Sequence, residues 1–510
     1  MEAFFLLNSS MEKFDICVIG GGPAGYAAAM RALDFGKRVC LVEMNRVGGA
    51  GLYDGALSSK TLWELSKDVS HARRRTEMYS KNQEFHLDYS NILEQLDGAI
   101  LERSSQLTGH LDALQSEGYR DLFFYKQGLG KLLSKNEVLI QKKDAEDETI
   151  FANHIILATG SKPRKLPHIP IDEKTIVTSD GIHHWKELPE SMVVLGAGVI
   201  GCEYATIFSN FGQTKVNIID KADRILPFED DDVAMLVQDN FYKNGVTVHH
   251  QTALVRMEIV DGEVEYELSC NNGPNQIHRV EKALVAVGRI PNSEGLGLEE
   301  LGVKITDRGA VDDEDTRSSV PNIYAIGDLT ADVALVNVGE LEGRHAVKKI
   351  LGHKNTLSYD NISSIMFLNP LVAAVGMNEK QAREKGLAYQ VVSLDYACIP
   401  RAIAMRSPQG FFKIMVTNDR EMKILGMRAV GPQASSAIQA VALLMSMEKG
   451  VEELAELIHP HPSLIEGIQE CCRMLLGKSI FKPHVFRDHM KYRGYMDGIY
   501  EDLTEVSEIN

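Results

Sequence analysis

"FDICVIGGGPAGYAAAMRALDFGKRVCLVE", residues 14–43, reads as an apolar strand, a glycine turn, an alanine-rich helix and a second strand ending on an acid. The same grammar returns in "SMVVLGAGVIGCEYATIFSNFGQTKVNIID", residues 191–220. One G-x-G-x-x-G is a weak signal, but two βαβ units in one chain are far more specific. They predict an α/β protein with two Rossmann-like dinucleotide-binding domains. In the first, Gly20 permits the tight turn, Gly22 lets the backbone approach a pyrophosphate, and Gly25 lets helix and strand pack closely. The helix N-terminus then faces the phosphates. Glu43 has the reach to bind a ribose diol. In the second, Gly196, Gly198, Gly201 and Asp220 repeat the pattern. A carboxylate at 220 bonds a 2′-hydroxyl and repels a 2′-phosphate, so NADH is favoured; Lys221 and Arg224 nearby keep NADP(H) possible.

With 510 residues and roughly 150 per domain, the chain has room for about three domains. A net charge of −17 repels phosphate backbones and anionic lipid, which argues against nucleic acid or a bare membrane surface as partner. Apolar runs such as "AFFLL" are too short to span a bilayer, and no signal-peptide pattern follows them, so a cytoplasmic protein with no membrane span is expected. The seven cysteines include no C-x-x-C and no zinc-ligand spacing. That fits buried thiols in a reducing compartment and no metal site.

Between the fingerprints, about residues 55–118 carry apolar residues at three and four spacings, a helical excursion. Short strand-like segments follow at "NHIILATG", "KALVAVGR" and "NIYAIGD". From about residue 360 strands and helices continue without a glycine fingerprint, as a third domain. The expected division is 1–165 with 291–355 for the first nucleotide domain, 166–290 for the second, and 356–478 for an α+β third. Residues 479–510 read as a tail or partner-docking segment.

"GGGPAGYAAA", "ATGSKPR", "GAGVIGCEYA", "VGRIPN", "NIYAIGD" and "HPHPSLIEGIQE" in this order resemble the flavoprotein disulfide reductase family, of the dihydrolipoamide dehydrogenase and soluble pyridine nucleotide transhydrogenase kind. The resemblance covers about residues 13–478. It implies FAD in the first site, NAD(H) in the second, and a C-terminal interface domain forming a homodimer. By motif, Asp328 would bind the flavin ribityl chain, and Thr159 and Gly160 would lie beside the FAD. Lys60 would pair with Glu203 near flavin N5, where a cation favours the anionic reduced ring. His461, oriented by Glu466, would supply a proton across the subunit boundary.

The family's redox disulfide lies in a G-G-x-C-x-x-x-x-C-x-x-S-K pattern. Residues 48–60, "GGAGLYDGALSSK", align with it without a gap, and Gly51 and Ala56 stand where the cysteines would be. Neither can relay an electron pair as a thiolate does. The resemblance therefore implies an FAD-dependent NAD(P)H oxidoreductase that passes electrons directly to a small-molecule acceptor such as a quinone, entering a pocket enlarged by the lost sulfurs. Transhydrogenation between nicotinamide nucleotides is a second reading, and a non-catalytic nucleotide-bound sensing or binding module a third. Tyr53 and Asp54 could contact an acceptor or only pack the turn. Cys17 and Cys40 are expected in the core, and Cys471 and Cys472 packed in a helix.

Overall fold

The structure is a computed structural model that describes residues 11–80, 85–269 and 274–504. Cys270 lies outside them. The chain divides into two compact units. One comprises the chain up to Leu65 with His86–Leu188 and Ala286–Leu357; the other comprises Ser66–Phe85, Pro189–Val285 and the chain from Ser358.

The first unit is built on the strand Glu12–Ile19. It pairs in parallel with Val39–Glu43 on one side and Glu148–Leu157 on the other, and Phe123–Gln127 and Ile323–Ala325 extend the sheet in parallel. A parallel sheet must be covered on both faces, so its strands read as near-continuous apolar runs. Ile16 and Val18 pack on Ala28, Ala29 and Ala32 of the helix Pro23–Asp34, while Cys17 and Ile19 turn to the other face with Val138, Ile140 and Leu157. The helix Val336–Ile350 lies so close to the first that a Cβ at Gly343 would fall 2.3 Å from the Ala24 carbonyl oxygen. The helical excursion consists of Ala56–Tyr79 and Tyr89–Ser116, the second N-capped by the Asp88 carboxylate accepting from the Ser90 N–H.

In the second unit, Thr247–His249, Lys215–Ile219, Ser191–Leu195 and Lys282–Val285 run parallel in that order. The helix Val199–Phe211 follows the glycine turn and stops at Gly212, whose φ of 74° continues no helix. Three antiparallel strands, Ala253–Val260, Glu263–Ser269 and Gln276–Val280, form a separate small sheet. A seven-stranded antiparallel sheet follows, in the order Ser363–Met366, Val372–Gly376, Ile424–Val430, Phe411–Thr417, Tyr389–Asp395, Met490–Met496, Ile499–Asp502. Its core joins Phe412, Ile414 and Met427 to Cys471 and Cys472 of the helix Glu466–Leu475.

The last two strands correct the expectation of a tail after residue 478. Asp497 (φ 51°) and Gly498 (φ 85°) make a two-residue turn between Met496 and Ile499. Both φ values are positive, the primed-turn geometry that matches strand twist and that Asp-Gly adopts readily. The hairpin pairs with Tyr389–Asp395, so that strand is interior rather than an open edge. The Tyr389 and Tyr495 rings stack 5.0 Å apart. The Lys413 ammonium, buried beneath, meets Asp230 at 2.7 Å, Asp232 at 2.6 Å and Glu379 at 3.2 Å. Arg493 (3.1 Å) and the Tyr500 hydroxyl (3.2 Å) from the hairpin also reach Glu379.

Candidate active site: two glycine turns and an exposed histidine

At the first turn each glycine has a distinct geometry. Gly20 has φ 108°, and a Cβ on it would lie 2.3 Å from the Ala158 carbonyl oxygen. A Cβ on Gly25 would lie 1.9 Å from the Gly20 carbonyl oxygen, so helix and turn are in backbone contact. A Cβ on Gly22 would meet nothing within 4 Å, leaving open space at the helix N-terminus. Glu43 is fixed by two backbone donors, Gly21 N–H at 2.6 Å and Asn45 N–H at 2.7 Å. Its carboxylate oxygens retain lone pairs for further donors.

Beside this turn, the Thr159 hydroxyl donates to the Asn292 carbonyl at 2.8 Å, and the Asn292 side chain returns a bond to the Thr159 carbonyl at 3.0 Å. Asn292 N–H also donates to the Gly160 carbonyl at 2.9 Å, pinning the crossover. The Asp328 carboxylate accepts from the Ser161 hydroxyl at 2.6 Å, and Arg289 Nε donates to the same hydroxyl at 2.7 Å. Ser161, Arg289 and Asn292 went unassigned in the sequence. They stand inside "ATGSKPR" and "VGRIPN", motifs that were legible, but nothing in their spacing says that the two motifs meet.

The second turn repeats the geometry. A Cβ on Gly201 would fall 2.0 Å from the Gly196 carbonyl oxygen, while one on Gly198 would meet nothing within 4 Å. Asp220 accepts from Ala197 N–H at 2.6 Å and Ala222 N–H at 2.8 Å. Arg224 is committed elsewhere: its Nη2 donates to the Glu229 carbonyl at 2.8 Å and meets Asp231 at 3.4 Å. The open spaces at Gly22 and Gly198, each at a helix N-terminus with an anchored acid on the adjoining strand, fit a dinucleotide pyrophosphate.

In the segment 48–60, Gly49–Leu52 forms one helical turn and Ala56 opens the next helix. A Cβ at Gly51 would lie 2.4 Å from Pro23 Cγ. The proline ring already takes the room a side chain there would need, so Gly51 by itself opens none of the extra space expected. Tyr53 is 8% exposed with Arg46 3.7 Å above its ring, a packing role. Lys60 belongs to the first unit and its ammonium donates to the Ser59 hydroxyl at 3.3 Å. Glu203 belongs to the second, is buried, and accepts from Phe367 N–H at 2.9 Å.

Among the described residues, Cys17, Cys40, Cys202, Cys471 and Cys472 are buried and Cys398 is half-buried, all as free thiols. Burial pushes the Cys40, Cys202, Cys398 and Cys471 thiols up, and Cys472 up to about 12. Such thiols are poor nucleophiles, because the thiolate is the reactive form. His461 is the opposite case. Its side chain is 69% exposed, and its Nδ1 meets Glu466 at 2.8 Å, while the other carboxylate oxygen of Glu466 accepts from Ser463 N–H at 2.8 Å. Burial works against ionisation of Glu466, yet the Ser463 N–H and the His461 ring together hold its carboxyl below the ordinary value. His459 by contrast turns its Nε2 to the Leu454 carbonyl at 3.2 Å. Within the second unit, a cavity of about 630 Å³ is lined by Asp239, Lys243, Asp395, Arg493 and Tyr500 among others.

Residues 14–346 match the pyridine nucleotide-disulphide oxidoreductase family, and residues 362–472 match its dimerisation domain. The chain belongs to this family. It is 32% identical to a dihydrolipoyl dehydrogenase of Chlamydia muridarum over 475 residues, covering 92% of this chain and 99% of the relative. A dihydrolipoyl dehydrogenase of Geobacillus stearothermophilus is 34% identical over 466 residues, 91% of this chain and 96% of the relative. Among solved structures, LpdA from Mycobacterium tuberculosis superposes with a TM-score of 0.83 at 25% identity, covering 91% of this chain and 99% of that one. The HOCl-induced flavoprotein disulfide reductase RclA from Escherichia coli gives 0.79 at 26% identity, covering 91% and 100%.

The α/β architecture with a C-terminal dimerisation domain is therefore the family's, and members of this family use FAD and NAD(P)H. No helix among the described residues is long and apolar enough to cross a membrane.

Proposed function

We propose that the chain is an FAD-dependent NADH oxidoreductase that delivers electrons directly to a non-disulfide small-molecule acceptor such as a quinone. What supports this reading is Gly51 and Ala56 in the segment where the resemblance implies the family's cysteines, in a chain where burial pushes the Cys40, Cys202, Cys398, Cys471 and Cys472 thiols up. Gly20, Gly22, Gly25, Glu43, Thr159, Gly160 and Asp328 would hold FAD, and Gly196, Gly198, Gly201 and Asp220 would hold the nicotinamide nucleotide. When bound, FAD supplies the chemistry of taking a hydride and passing on its electron pair. The chain's own part is to bind, orient and move a proton. Lys60 is the cation for the flavin side, with Glu203 as its counter-charge. His461, steered by Glu466, supplies the proton an acceptor needs as it gains electrons.

Asp220 anchored by two backbone N–H groups, with Arg224 turned to Glu229 and Asp231, weighs toward NADH and against transhydrogenation with NADP+. The relatives' names argue instead for a disulfide substrate, and the test is arranged to separate the two. The purified holoenzyme is reduced anaerobically with NADH, then re-oxidised with quinones, lipoamide and NADP+ in parallel. Rapid re-oxidation by quinones and none by lipoamide is expected. His461→Ala should slow the quinone step about 10²-fold or more while leaving reduction by NADH intact. Re-oxidation by lipoamide at a comparable rate, or failure of NADH to bleach the flavin absorbance, overturns the reading.

A further inference from the structure

The family's dimerisation match ends at residue 472, yet exposed apolar side chains continue beyond it. Ile480 and Val485 are each 65% exposed and Phe486 42%, its ring set edge-on against Phe481. Within the matched domain, Leu457 is 53% exposed and Ile458 95%. These two groups are fastened to one helix, Glu466–Leu475, at adjacent residues. Gln469 donates to the carbonyls of Ala455 (3.0 Å) and Leu457 (2.7 Å), and Glu470 accepts from Ile480 N–H at 3.0 Å. Lys478 bridges to Glu456 at 2.9 Å, closing the gap between them. A run of exposed large apolar groups anchored this way marks an interaction surface rather than scattered surface hydrophobes.

We propose that the segment Ile480–Phe486 extends the dimer contact, so that a second copy of this chain covers Ile480, Val485 and Phe486 together with Leu457 and Ile458. The occupant follows from continuity: the loop bearing Leu457 and Ile458 lies in a dimerisation domain, and the hydrogen bonds to Gln469 and Glu470 hold the segment beside it. This inference rests on the homodimer reading. Lys482 and Arg487, exposed within and just after the same segment, supply the polar rim usual for such contacts.

The test uses the full-length FAD-loaded protein and sedimentation velocity over a dilution series. The double substitution Ile480→Asp and Val485→Asp should weaken dimerisation at least tenfold, with flavin content and the circular dichroism spectrum kept. Ile277→Asp, on an exposed strand of the small antiparallel sheet, should leave it unchanged. Hydrogen exchange on the native protein supplies a second readout: the amides of 480–482 and 484–486 should gain protection as concentration rises through the dimer dissociation constant.

If Leu457→Asp with Ile458→Asp weakens the dimer while the C-terminal pair shifts it less than twofold, the contact stops at the domain boundary and the extension is wrong. If the native protein is monomeric at micromolar concentration, the homodimer reading fails and the extension with it. Loss of a higher oligomer with the dimer intact would assign the surface to another contact and overturn the proposal.

Discussion

A methyl group separates two outcomes at neighbouring glycines. Gly22 has φ −70°, which alanine adopts freely, and its missing Cβ faces open space. Gly22→Ala should therefore fold with a native circular dichroism spectrum and lose most of its bound flavin on dialysis, since the methyl occupies the pyrophosphate's approach. Gly25→Ala puts a carbon 1.9 Å from a backbone oxygen and should fail to give soluble protein. Soluble, flavin-free protein from both would remove the distinction. Asp220→Ser should weaken NADH binding roughly 10- to 100-fold, the range for a lost charged hydrogen bond, and narrow the preference over NADPH, read by equilibrium titration. The residues legible in the sequence are those whose role is set by local backbone, the glycines and the acids that close each βαβ unit. Ser161, Arg289 and Asn292 were hidden because each acts through a partner far along the chain.

At the scale of elements, periodicity was enough for the excursion helices and the parallel strands. It failed at the C-terminus, where aromatic and charged residues alternate weakly and Asp497-Gly498 was the real signal. Gly498→Ala forces a Cβ into φ 85° and should cost about 1–2 kcal/mol. That corresponds to a melting shift of about 2–8 °C, and an unchanged transition would mean the turn is not formed. The segment 48–60 gives the converse lesson. Its sequence, through the resemblance, led to the expectation of added room, while a Cβ at Gly51 would lie 2.4 Å from Pro23 Cγ, so the ring fills the space at that position.

Over the whole molecule, stability should respond to pH through Asp313. Burial first, then the charges of Asp332 and Glu342, push its carboxyl up to about 7. A folded-state value above the unfolded one, about 3.9, means the stabilising state is the neutral acid. Its contribution is complete below about pH 4 and is lost as pH rises through 7. Asp313→Asn should raise the melting temperature above about pH 8, by an amount equivalent to about 1–2 kcal/mol after solvent screening. Near pH 4 it should do nothing, and a pH-independent effect would refute the assignment. The division into units was not readable from domain-length arithmetic, because Ser66–Phe85 belongs with segments that come much later in the chain.

The hairpin that completes the seven-stranded sheet also sets how that sheet can fail. Without Met490–Asp502, Tyr389–Asp395 is an unpaired edge, and Glu379 lacks Arg493 and Tyr500. An open edge strand presents a row of unpaired backbone groups, a template for pairing with another chain. Loss of the hairpin, by nicking or by local opening, would therefore turn a closed sheet into a site of aggregation.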